Sequence, residues 1–153
     1  INCFINNQTD IVYGNLIYVK KSNKEKILRY WRSNQYKKGI FFKGWSPPHP
    51  SFFVKKKVYE QHGNYNISLG NSSDFDLMYR FLEINKIHSI YIDKIIVSMR
   101  YGGKSNKNIK TILSQNLIIF NILKINKNIF KIKSFIFFKL INRFKQFLKM
   151  PKI

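Results

Sequence analysis

The stretch that most constrains this chain is Asp10 to Lys20, which reads Asp-Ile-Val-Tyr-Gly-Asn-Leu-Ile-Tyr-Val-Lys. Its β-branched and aromatic residues predict a strand. They are nearly continuous rather than alternating, which suits a strand covered on both faces, since a strand with one wet face alternates. A sheet covered twice needs other elements packed on it. Gly14, inside the run, predicts a bulge or a close backbone approach.

The rest of the chain supplies such elements. Residues 1–9 are polar and unpatterned and read as the end of a helix or a loop. Asn23-Lys24-Glu25-Lys26 reads as a turn before a basic, aromatic segment containing Arg29, Tyr30, Trp31 and Arg32, and Lys37 to Gly44 is a short amphipathic piece. Trp45-Ser-Pro-Pro-His-Pro50 cannot be helix interior, because each proline fixes φ and biases its predecessor to an extended form. Ser51 to Val54 reads as a short strand and Lys55 to His62 as a helix stopped at Gly63.

Gly63 to Arg80 changes character half-way. Its first part is turn material, rich in Gly, Asn and Ser. Its second part opens a helix over Asp74–Lys86, with Phe75, Met78, Phe81 and Leu82 on one apolar face. Ser72, Ser73 and Asp74 are N-cap candidates, and Ser73 with Asp76 approximates a capping box.

His88 to Asp93 and Ile95 to Tyr101 read as two short strands or one bent strand, ended by Gly102-Gly103. Ile109 to about Lys127 is helical, with Ile112, Gln115, Ile119, Ile122 and Leu123 as a buried stripe. Ile129 to Lys149 mixes Phe, Ile and Leu with Lys and Arg at helical spacing. Its most apolar run, Ser134 to Phe138, is far too short to span a bilayer. Strands alternating with helices predict an α/β domain with a mixed sheet over residues 1–108, followed by a basic amphipathic helical tail over 109–153.

Charge narrows the partners. The net charge is +21, from 28 Lys and Arg against 7 Asp and Glu. Such a field attracts nucleic acid, anionic lipid or phosphorylated substrates. The 24 Ile, 23 Lys and 17 Asn also fit the skew of an AT-rich genome, so the distribution of charge matters more than its sum. From Lys104 to Ile153 there are twelve basic residues and no acidic one, which exceeds a uniform skew. Cys3 is the only cysteine, so a disulfide framework or a thiolate metal site within this chain is excluded, and a reduced, cytoplasmic setting fits.

Several residues could carry chemistry. Asp74, where a loop meets a helix, could accept a proton from a bound hydroxyl, or simply cap the helix. Asp76 and Arg80 are spaced as a helix ion pair with the acid first. His49 is held stiffly between Pro48 and Pro50 and, with Trp45, suits contact with a sugar or a base; an ordinary loop histidine fits the spacing too. Gly102-Gly103-Lys104-Ser105 is no phosphate loop, because Ser98 stands where that pattern needs glycine. His49, His62 and His88 share no metal-ligand spacing.

Taken in order, Tyr13-Gly14-Asn15, Pro48-His49-Pro50-Ser51-Phe52-Phe53-Val54-Lys55-Lys56, Val58-Tyr59, Gly63, Ser73-Asp74-Phe75-Asp76-Leu77-Met78-Tyr79-Arg80 and Met99-Arg100-Tyr101-Gly102-Gly103-Lys104-Ser105 resemble the C-terminal half of bacterial family 2 glycosyltransferases. The similarity covers roughly Asp10 to Asn108. These are inverting enzymes of the GT-A fold that build lipopolysaccharide, capsule and related glycans. The resemblance implies transfer from a nucleotide-sugar donor to a glycan or lipid-linked acceptor, with Asp74 as the general base. It counts Trp45, His49, Asp76, Arg80 and Gly103 as substrate-binding.

Two departures stand out. Asn15 replaces the family's usual Asp after Tyr-Gly. The family's N-terminal half, with the Asp-x-Asp motif that holds a divalent Mg or Mn on the donor diphosphate, has no counterpart in these residues. The expected picture is therefore a piece of a longer protein: acceptor side and catalytic base, cytoplasmic, peripheral at an anionic membrane face, and inactive by itself. The alternative is a non-enzymatic basic module that binds nucleic acid through phosphate contacts and stacked aromatics. Against it, no nucleic-acid motif is present and the aromatics fall at core spacings.

Overall fold

The computed structural model describes residue 4 and residues 9–102, 109–124, 129–148 and 151; Cys3 and Gly103 lie outside them. The fold is α/β, with an open, mixed four-stranded sheet and two C-terminal helices. The apolar run forms β1, Ile11–Lys20, and it is buried from Ile11 to Ile17.

β1 is the strand with which every other strand pairs. Along one edge it runs parallel to β4, Ser89–Arg100, from Ile11↔Ser89 to Val19↔Arg100. Its other edge is shared. β3, Phe52–Val54, pairs antiparallel with Ile11–Tyr13, and β2, Asn23–Trp31, pairs antiparallel with Leu16–Lys20. The tight turn is therefore Lys21-Ser22, and Asn23 already belongs to the hairpin's second strand. The charged residues of 23–26 concealed this strand, because its first four residues are exposed and show no apolar period.

β4 is one strand, bent where its register against Gly14 and Asn15 shifts. The close approach expected at Gly14 is present. A Cβ placed there would meet Ile96 Cδ1 at 2.8 Å and the Lys94 carbonyl oxygen at 3.0 Å. Between the two segments that pair on the shared edge, the Gly14 carbonyl instead accepts a hydrogen bond from Ser51 Oγ at 2.8 Å.

Between β3 and β4 run helix α1, Lys56–His62, and helix α2, Ser73–Tyr79, which continues as a π-helical turn over Arg80–Ile84. Phe75, Met78, Phe81 and Leu82 are buried as the spacing predicts, but so are Leu77 and Tyr79. The helix is enclosed on more than one side. The π turn extends this, leaving Phe81 and Leu82 with no exposed surface while Glu83 reaches out to accept from Tyr36 Oη and the Gly39 N–H, each at 2.9 Å. Helices α3, Ile109–Ile122, and α4, Ile129–Leu148, close the core through Ile119, Phe120, Leu123 and Phe135. α4 lies tight on Gly44, whose added Cβ would stand 2.7 Å from the Lys139 backbone nitrogen.

Asn15 ties this sheet together. It is fully buried, donating from Nδ2 to Tyr30 Oη at 3.0 Å and to Asp93 Oδ1 at 2.9 Å. Its Oδ1 accepts from the Ser33 N–H and from Tyr91 Oη, both at 2.8 Å. An amide satisfies all four bonds; a carboxylate could not donate, and it would face Asp93. Asn15→Asp is expected to destabilise the fold by about 3 kcal/mol at neutral pH, through a buried charge without compensation, read as a lower urea midpoint. Asp93 itself is held down to about 2, first by the hydrogen bond from Arg32, then by those from Asn15 and Tyr91. Its contribution is fully present above the ordinary value of 3.8 and is lost as pH falls through the depressed one. Asp93→Asn should flatten the acid limb of stability against pH between about 4 and about 2; an unchanged limb would show that other carboxylates govern acid unfolding.

Candidate active site

The seven carboxylates of the chain all fall among the described residues. Five are engaged by other residues of the fold. Asp10 pairs with Lys55 and Lys57, Glu60 with Lys56, Asp76 with Arg80 and Asp93 with Arg32, while Glu83 takes Tyr36 and Gly39. Glu25 stands exposed on the hairpin. Asp74 is left, and it lines a cavity of about 570 Å³.

Asp74 sits in the first turn of α2, but the expected capping box does not form. Ser73 Oγ turns back to the Gly70 carbonyl, and Ser72 makes no side-chain cap. Asp74 Oδ1 accepts from the Phe75 N–H at 2.7 Å, while Oδ2 lies 4.0 Å from His49 Nδ1. The remaining ring nitrogen, Nε2, is 2.8 Å from Tyr65 Oη. Burial first, then the neighbouring Tyr59 and Asp74, push the Tyr65 phenol up to about 12, so it stays protonated at neutral pH. In the tautomer with Nδ1–H toward Asp74, the phenol donates to Nε2. Tyr65 thus holds the imidazole beside a half-exposed carboxylate that lies 4.0 Å away, beyond direct hydrogen-bond reach. Pro48 positions it by entering the short helical turn His49–Ser51 in an extended conformation.

The cavity has a polar character that the sequence hides. Among the described residues, Ser33 Oγ, Trp45 Nε1, Ser72 Oγ and Gln115 Nε2 are buried without a hydrogen-bond partner, and all four residues line it. Ser33 and Ser72 are 6% and 2% exposed. Leaving such groups unpaired costs about 1–3 kcal/mol each, so the site suits a ligand bearing several hydrogen-bonding groups. Trp45 packs its ring on Tyr13, Tyr36 and Phe41 rather than presenting a free face. Its indole N–H is what remains for a ligand.

The wall opposite in sign comes from β2, the residue that follows it, and α4. Arg29, Arg32, Lys139, Arg143 and Lys145 line the cavity with Asp74 and His49. Burial pushes the Lys139 ammonium down to about 8, with Arg143 adding repulsion. Its Nζ donates to Asn116 Oδ1 at 2.7 Å. Anionic ligands fit such a wall. A cluster able to hold a divalent cation is not formed: no group of three or more His, Cys, Asp or Glu comes together among the described residues, and Asp74 is the one carboxylate among the cavity's lining residues.

The sequence-predicted residues thus divide. Asp74, His49 and Trp45 come together on one cavity. Asp76 and Arg80 lie outside its lining. Arg80 Nε meets Asp76 Oδ2 at 2.9 Å, and its two terminal nitrogens donate to the carbonyls of His62 at 2.8 Å and Asn64 at 2.7 Å. That fork fastens the turn after α1 to α2. Gly103 lies outside the described residues. Sequence reasoning missed Tyr65, which sits in unpatterned turn material, and Lys139, one lysine among many. Gln115 did carry a signal, being the one polar residue in the buried stripe of α3.

Arg80→Lys keeps the charge but not the planar fork. It is expected to lower stability by about 1–2 kcal/mol and to speed proteolysis between residues 62 and 66. Equal cleavage rates in parent and variant would remove the clamp from the account.

No protein-family model, curated protein or solved structure matches this chain.

Proposed function

We propose that this chain carries the acceptor side and general base of an inverting sugar transfer, in keeping with its resemblance to family 2 glycosyltransferases of the GT-A fold. One observation carries the reading. Asp74, beside a fixed His49, opens onto a cavity with unpaired buried polar groups and a cationic wall. The unpaired groups suit a polyhydroxylated ligand, and the wall suits the phosphates of a nucleotide-sugar.

In this mechanism an acceptor hydroxyl lies against Asp74 Oδ2. As its oxygen forms the new bond to the anomeric carbon, its proton passes to the carboxylate. The bond from that carbon to the nucleoside diphosphate breaks on the opposite face, which inverts the centre. The Phe75 N–H steadies the carboxylate, and Tyr65 holds His49 beside it. The acceptor is a glycan or a lipid-linked sugar.

The 153-residue chain contains no Asp-x-Asp in a donor-binding context, and by itself it should show no transfer from any nucleotide sugar, with or without Mn²⁺. The decisive comparison uses a longer protein containing this segment. Asp74→Asn keeps the side-chain shape and should lower the rate by about 10²–10⁴-fold, the scale of general-base loss. Asp76→Asn should lower the melting temperature by weakening the Arg80 clamp while sparing the rate. Transfer near the parent rate by Asp74→Asn would remove this residue as base. Displacement of a bound nucleotide-sugar by single-stranded RNA would favour the basic nucleic-acid module instead.

A further inference from the structure

A helix on a protein surface ordinarily turns its apolar stripe inward and its polar residues to water. Over its C-terminal half α4 does the reverse. Lys139, Asn142 and Gln146 face the protein: Lys139 Nζ donates to Asn116 Oδ1 at 2.7 Å, Asn142 Nδ2 to the Lys43 carbonyl at 3.1 Å, and Gln146 Oε1 accepts from Arg29 Nε at 2.6 Å. Phe137, Leu140, Phe144 and Leu148 face outward and are 60, 62, 64 and 64% exposed. They recur at helical spacing and continue to Phe130, which is 80% exposed. Contiguous apolar surface of this kind marks an interaction face.

We infer that this stripe docks on the surface of an anionic bilayer, with α4 lying in the interface plane. The charge pattern selects this occupant. Lys133 and Lys145 are exposed on the helix beside the stripe, and no acidic residue occurs between Lys104 and Ile153. A second copy of a chain carrying +21 would set cations against cations. An anionic bilayer offers an apolar layer and negative headgroups within a few ångströms of each other, matching a phenylalanine stripe flanked by lysines. The helix lies on the surface rather than crossing it, since no helix among the described residues is long and apolar enough to span a membrane.

The inner face of the same helix supplies Lys139, Asn142 and Gln146 to the cavity lining. Docking therefore holds the cavity about one helix diameter, roughly 10 Å, from the headgroups, and, resting on the sugar-transfer reading, this favours a lipid-linked acceptor as the one that reaches Asp74. The docking itself does not depend on that reading.

Flotation of the full chain with phosphatidylcholine vesicles, with and without phosphatidylglycerol, tests it. The parent should float with the anionic vesicles and largely detach at about 1 M salt. Phe137→Asp with Phe144→Asp should cut partitioning at least about tenfold even at low salt, with circular dichroism and melting temperature unchanged because both positions are exposed. Lys133→Glu should weaken binding several-fold on anionic vesicles only. Should the aspartate pair unfold the helix, Phe144→Trp gives a second reading, a blue-shifted emission added to that of the parent when vesicles are present. Partitioning of the aspartate pair equal to the parent, equal binding to neutral and anionic vesicles, or an added emission from the Phe144→Trp variant that vesicles leave unshifted would each overturn the proposal. So would a dimer in light scattering that the aspartate pair dissolves, since a second copy would then cover the stripe. In a longer protein containing this segment, loss of sugar transfer in Asp74→Asn with vesicle binding intact separates this proposal from the catalytic one.

Discussion

β1 has no exposed face and no free edge along most of its length, and the rest of the molecule is arranged to meet that condition. A strand buried on both faces must have its backbone groups paired, because an orphan N–H or C=O away from water costs as much as a lost hydrogen bond. β4 meets one edge over its whole run. The other edge is divided between β3 and β2, and where they leave the Gly14 carbonyl uncovered, Ser51 Oγ fills the place. That division brings the chain out at two points beside the same stretch of sheet. The Pro48–Pro50 loop enters β3 next to Gly14, and Ser33 leaves β2 next to Asn15. Both carry residues into the cavity, so the pairing of β1 sets the floor of the candidate site.

Electrostatics then decides which side chains are available. With 28 basic residues against 7 acidic ones, cations are plentiful and each carboxylate has its choice of partner. Asp10, Glu83 and Asp93 are drawn into links between elements, and Glu60 and Asp76 into pairs along their own helices. Asp74 is different because one of its oxygens is taken by the backbone of its own helix and the other, among the described residues, meets only an imidazole, at 4.0 Å. The scarcity of acids in this chain makes a half-exposed carboxylate in a cavity with a cationic wall a meaningful exception.

The C-terminal helix links the two functional proposals. In its C-terminal half, Lys139, Asn142 and Gln146 are turned inward onto the cavity, and Phe137, Leu140, Phe144 and Leu148 are turned outward as a consequence. In a helix 3.6 residues per turn fix the angle between side chains, so committing Lys139, Asn142 and Gln146 to the protein side leaves Phe137, Leu140, Phe144 and Leu148 on the opposite side. The approach that fixes this rotation is made at Gly44, which has no side chain to hold α4 away.

Much of this was legible along the chain. The continuous apolar run determined β1 and its burial, helical spacing determined α2, α3 and α4, and glycine marked the close approach of β4. Asp74, His49 and Trp45 were identifiable from their local settings, a loop-to-helix junction and a proline-stiffened loop. Local pattern could not find β2, whose first half is charged and exposed. The i, i+4 spacing already paired Asp76 with Arg80, but it could not show that Arg80 also reaches the His62 and Asn64 carbonyls, nor that Asp74 lines a cavity; tertiary packing decided both. Spacing established that α4 is amphipathic, and amphipathicity alone puts the apolar stripe inside. Only the tertiary structure reversed it, because which face of a helix is buried depends on what the partner surface offers. Here that surface offers Arg29 and a polar cavity, on which Lys139, Asn142 and Gln146 are better placed than phenylalanine.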